Sequence, residues 1–149
     1  MFNSVLKFRN IGYHFSLVSQ AALSASCFSF YLWSFCDNGL FIQSGSRAAF
    51  VFFFVAVFLF AFLTSPFLTS PVCHPIIGSY FFILGIDCYV RSGWAIHIST
   101  ITGAQQDAYY HVNRKTGIEM AFVLIIAAVG IIFQVWQVRN TAYRLYHNI

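Results

Sequence analysis

The sequence predicts an all-α integral membrane protein, a four-helix bundle whose helices cross the bilayer. Three observations carry this reading. Four apolar runs, 14–35, 48–65, 76–98 and 117–138, fill most of the 149 residues, and each approaches the roughly 20 residues a helix needs to cross about 30 Å of hydrocarbon. Apolar residues make up 59% and charged residues 8% of the chain, too few charges to clothe a water-facing surface, since soluble domains carry about 25%. The connections, about 12, 10 and 18 residues long, are too short to fold independently. Residues 1–149 therefore read as one four-span domain.

The first run carries small residues at steps of three and four, among them Ser16, Ser19 and Ser26. Such a strip lets backbones approach closely, which replaces the hydrophobic drive that lipid removes. Helix one is expected to pack inside the bundle along it. Lys7 and Arg9 precede this run, as they would in a secretory signal, but the run is too long for a signal core. The residues around these two cations lack acids, a weak likeness to a mitochondrial presequence.

The second run has no polar side chain from Ala48 to Leu63 and aromatic rings on every side, so it is expected to be the most lipid-exposed helix. Pro66 and Pro71 follow it. Proline lacks an N–H and restricts the residue before it, so these two are expected to end the span and turn the chain into an antiparallel hairpin.

The third run repeats the small-residue device with Gly78, Gly85 and Ser92 at heptad spacing. It also holds Asp87 and Arg91, two charges within a span, each costly by about 2.5–3.5 kcal/mol on insertion scales. Four residues apart, they stack on one helix face with the acid N-terminal to the base, the better order for a pair. The expectation is a mutually satisfied intramembrane pair; a proton or ion relay is the functional alternative.

The fourth run places Glu119, Val123, Ala127, Gly130, Gln134 and Gln137 on one face. Gly130 and Gln134 are expected at a helix interface, with Gln134 bonding across it and Glu119 meeting Lys115.

Other chemistry finds little support. His14, His74, His97, His111 and His147 offer no pair with ligand spacing on one element. No haem, metal or other cofactor is expected. The four cysteines form no loop-to-loop framework, although Cys73, in the expected turn, is a candidate for acylation. No nucleophile elbow, phosphate-cradling glycine loop or internal repeat occurs, so no enzyme is expected. The +4 net charge comes without a basic run, which argues against nucleic acid. Lys7, Arg9, Arg139 and Arg144 flank the outer runs and Arg47, Arg114 and Lys115 the loops opposite, a split that slightly favours both termini in the cytoplasm.

The layout resembles the MARVEL-domain proteins, especially the small fungal type. The residues that carry the resemblance are Leu6-Lys7-Phe8-Arg9 before helix one, Ser46-Arg47 at the start of helix two, Asp87 in helix three, and Arg114 with Glu119-Met120-Ala121-Phe122 opening helix four. The third connection lacks the cysteine that the fungal type often carries near Arg114. The resemblance implies a non-enzymatic protein of membrane organisation, in microdomains, vesicle traffic or membrane contacts, residing in the plasma membrane or secretory pathway. Its partners would be membrane lipids and other transmembrane helices. The competing reading is an accessory subunit of a large membrane complex, such as a respiratory assembly of the mitochondrial inner membrane. A channel or transporter would need more ionisable residues along a path than Asp87 and Arg91.

Overall fold

Five helices account for the described residues, 2–37, 44–102 and 110–147, of the computed structural model: α1 Phe2–Trp33, α2 Ser44–Thr64, α3 Pro66–Val90, α4 Ile96–Thr102 and α5 Arg114–His147. Three contain stretches long and apolar enough to cross a membrane, Gly12–Trp33, Phe67–Val90 and Arg114–Thr141; α2 supplies a shorter apolar helix, Gly45–Ala61. The all-helical membrane architecture read from the sequence holds. Its boundaries shift in instructive ways.

The third span is the largest revision. The run 76–98 is not one helix: α3 begins ten residues earlier, at Pro66, and ends at Val90. Pro66 occupies the first turn, where the missing N–H costs nothing, while Pro71 and Pro75 lie inside the helix, as membrane helices tolerate when neighbours absorb the freed carbonyls. The α2–α3 return is therefore made at Ser65 alone, and Pro71 takes no part in ending the second span. Cys73, buried within α3, is not in a turn and not accessible for acylation. His74 likewise sits in α3, its Nδ1 2.9 Å from the Ser70 carbonyl.

Helix α1 runs antiparallel to α2, with Phe28 against Phe54 and Trp33 against Phe50. Antiparallel to α5, α3 sets Pro75 beside Gly130 at one level and Ser92 beside Glu119 at another. The main core joins Cys27 and Tyr31 of α1, Tyr80 and Ile83 of α3, and Met120 and Val123 of α5. No residue of α2 whose side chain is described is fully buried, in keeping with the expected lipid-exposed helix.

The packing strips are only partly where they were expected. On α1 the buried positions include Leu17, Ala21, Ser24, Ala25, Cys27 and Ser29; of the strip read from sequence Ser29 packs inside, Ser26 is half-buried, and Ser16 and Ser19 are exposed. The strip that packs is offset around the helix from the one read from sequence. Gly78 and Gly85 are exposed, and a Cβ built at either meets no atom within 4 Å. Gly130 does hold a tight contact: a Cβ there would lie 2.9 Å from Pro75 Cβ. Gln134 is half-buried.

Because Arg91 lies just past α3, the eight Lys and Arg divide evenly. Arg47, Arg91, Arg114 and Lys115 lie at helix ends on the side covered by α4, and Arg139 lies toward the other. The charge bias favouring one orientation disappears.

Candidate functional site

The polar chemistry of the molecule gathers at the end covered by α4. There α3 stops because Arg91 adopts the left-handed conformation, φ 51°, and Gly93 follows at φ 93°, where a residue without Cβ carries no penalty. Asp87, one turn before the end, folds forward over this bend. Its Oδ1 accepts hydrogen bonds from the Ser92 N–H at 2.8 Å and the Gly93 N–H at 3.2 Å, and its Oδ2 from the Ala95 N–H at 2.6 Å. A ring of backbone donors of this kind cradles an anion. It lets a 3% exposed carboxylate remain buried.

Asp87 and Arg91 therefore do not form the ion pair expected from their spacing. Arg91 is exposed, and its backbone N–H caps the Asp87 carbonyl at 2.7 Å. The physical reason is local: the helix ends between them, so Arg91 leaves the face that Asp87 occupies. Ser92, placed in a packing strip by its heptad spacing, instead links two acids. Its Oγ lies 2.5 Å from Asp87 Oδ1 and 2.6 Å from Glu119 Oε2. Glu119 is thus engaged by Ser92 and not by Lys115.

One hydroxyl hydrogen serves one oxygen at a time. The Ser92 hydroxyl therefore stands between the two acids as a donor within reach of either, while Asp87 also holds three backbone N–H groups.

Aromatic residues plug this end beneath α4. Trp94, His97, Tyr110 and Tyr80 are all buried and in mutual ring contact. His97 Nδ1 contacts the Trp94 carbonyl, an acceptor only, so Nδ1 carries the hydrogen. Nε2 then accepts from the Tyr80 hydroxyl at 2.8 Å. Burial holds His97 down to about 4, against the opposing pull of the Trp94 carbonyl and Asp87, and burial pushes Tyr110 up to about 12.

The remaining contacts fasten this end together. Tyr110 donates to the Ser34 carbonyl at 2.8 Å and Tyr31 to the Met120 carbonyl at 3.2 Å. Arg47 donates to the Thr100 carbonyl at 2.6 Å and lies over the Trp33 ring, joining α2, α4 and α1. Asp37 accepts the Val112 N–H at 2.6 Å and pairs with His111 at 3.1 Å on the surface. The Thr116 hydroxyl accepts the Asn113 N–H at 2.8 Å and Asn113 Oδ1 accepts the Arg114 N–H at 2.6 Å, local bonds that start α5 ahead of the expected boundary.

Sequence reading had Asp87, Ser92 and Glu119 in hand but in other roles. It missed the plug of Tyr80, Trp94, His97 and Tyr110. The available signal was Arg91-Ser92-Gly93, a turn-forming triplet interrupting the apolar run. Of the histidines weighed for haem, His14 and His74 are exposed. Among the described residues, no three His, Cys, Asp or Glu side chains group to hold a metal.

Helices of this length and apolarity, closed at one end by a buried polar cap, define a helical integral membrane protein. The chain belongs to the TM7S3/TM198-like domain family, whose model matches residues 11–135. This is a transmembrane-type family and not the MARVEL family that the sequence resembles. No curated protein and no solved structure matches the chain.

Proposed function

We propose that the protein works without catalysis, as a membrane-organising protein acting through lipids and other transmembrane helices. The observation that supports this is the contrast in where its side chains face. Asp87, Ser92, Glu119, Tyr80 and His97 turn inward onto one another, while α5 presents Phe122, Ile125, Val129, Ile132, Phe133 and Trp136 outward. An apolar face that the chain itself does not cover is available to lipid or to another helix. The proposed setting is the plasma membrane or secretory pathway, in microdomains, traffic or membrane contacts of the MARVEL-like kind.

A second reading uses the same α5 face: docking against helices of a larger complex, such as a respiratory assembly of the mitochondrial inner membrane. Imaging a tagged full-length chain, with blue-native electrophoresis of the same cells, separates the two. Plasma-membrane or vesicle residence with self-clustered species supports organisation. Mitochondrial residence within one stoichiometric complex supports the subunit reading and overturns the first.

A further inference from the structure

On the outside of the bundle, α3 and α5 diverge to leave an open apolar groove of about 680 Å³, within the roughly 300–1,000 Å³ of small-molecule sites. Phe82, Ile86 and Val90 line it from α3 and Phe122 and Ile125 from α5, with Lys115 and Glu119 as its two charged residues. From Lys115 to Ile126 the α5 wall is about 16 Å long at the helical rise. That is half of the roughly 30 Å hydrocarbon core, the depth of one leaflet. Its length matches an acyl chain that reaches from the headgroup level to mid-bilayer.

Charge distinguishes this groove from the rest of the lipid-facing surface. Lys115 lines the groove; Arg114 beside it and Arg91 next to the lining residue Val90 stand at the same end of the bundle, and all three are exposed. Among the described residues none of them forms an ion pair. The neighbouring acids are engaged elsewhere, Asp87 by backbone donors and Glu119 by Ser92. Basic pockets between transmembrane helices bind anionic headgroups, each cation contributing about 1 kcal/mol near the surface.

We propose that this groove holds one anionic phospholipid, its acyl chain between α3 and α5 and its phosphate on Lys115 beside Arg91 and Arg114. Phe122 and Ile125 also belong to the outward α5 face described above, so this inference rests on that face meeting lipid at the level of the groove.

The test is native mass spectrometry of the full chain released from nanodiscs of phosphatidylcholine and phosphatidylserine. The expected result is one phosphatidylserine retained per chain, with occupancy reduced about fivefold by Lys115→Gln. Ile86→Trp, which fills the groove without changing charge, should also displace the lipid, while Phe52→Leu on α2 should leave retention unchanged. For the unmodified chain, phosphatidylserine carrying a photoreactive acyl chain should label peptides spanning 82–90 and 115–126. Equal retention of both lipids, labelling spread evenly over α2, or a Phe122→Cys variant that crosslinks two copies through the groove would each overturn the proposal.

Discussion

Asp87 and Phe52 belong to one bundle and face opposite demands. Asp87 is 3% exposed, and four donors, the backbone of Ser92, Gly93 and Ala95 and the Ser92 hydroxyl, converge on its carboxylate. Phe52, on α2, is 71% exposed. At the capped end Asp87, Ser92 and His97 each depend on a neighbour of defined geometry, because an unmet buried group costs its full desolvation. Along the walls, apolar volume faces a solvent as apolar as itself, so one hydrocarbon side chain substitutes for another. The fold's specificity is concentrated in its polar end.

The sharpest way to break this contrast is at Asp87. Asp87→Asn removes the charge and turns an NH2 toward backbone donors; it should lower stability by about 3 kcal/mol or more, read as loss of hydrogen-exchange protection across 91–98. Glu119→Gln should cost far less, because the amide oxygen still accepts the Ser92 hydroxyl that the carboxylate accepts.

Acid should act next on the same end. His97 is held neutral at a pKa of about 4, below the ordinary 6.5, so the unfolded state binds the extra proton between those values. Stability is then complete above pH 6.5 and falls as the pH drops toward 4, by about 1.4 kcal/mol per unit. The groups facing His97 are Tyr80, Trp94, Tyr110 and Asp87. Hydrogen exchange of 94–100 against pH should show the loss in the wild type and not in His97→Phe.

Smaller effects separate the inner and outer faces of the helices. Gly130→Leu drives a side chain into Pro75 and should cost about 1–3 kcal/mol in thermal unfolding in detergent. Gly85→Leu, with no atom within 4 Å of the new Cβ, should change the isolated chain by less than about 0.5 kcal/mol. Phe52→Leu should be smaller still.

The difference between these glycines also shows where sequence reading stops. The membrane class and the lipid-facing character of α2 follow from composition and run length, properties each segment carries by itself. Which strip of α1 packs depends on its partners: serines occur on both the buried face, at Ser24 and Ser29, and the exposed one, at Ser16 and Ser19. Gly130 matters because Pro75 lies opposite, a relation no single segment displays. The end of α3 was obscured because Trp94, Ala95 and Ile96 extend the apolar run beyond Gly93, although they form the plug and α4 and not the span. Once the helix is taken to continue, Asp87 and Arg91 fall on one face and Ser92 falls into a heptad.

The most direct test is therefore a pair of double-mutant cycles in the full chain, Asp87→Asn with Ser92→Ala and Asp87→Asn with Arg91→Gln, read by unfolding in one detergent. A coupling above about 1 kcal/mol for Asp87 with Ser92 and none beyond error for Asp87 with Arg91 is the predicted result. Strong coupling to Arg91 with none to Ser92 would restore the intramembrane ion pair and contradict the capped end described here.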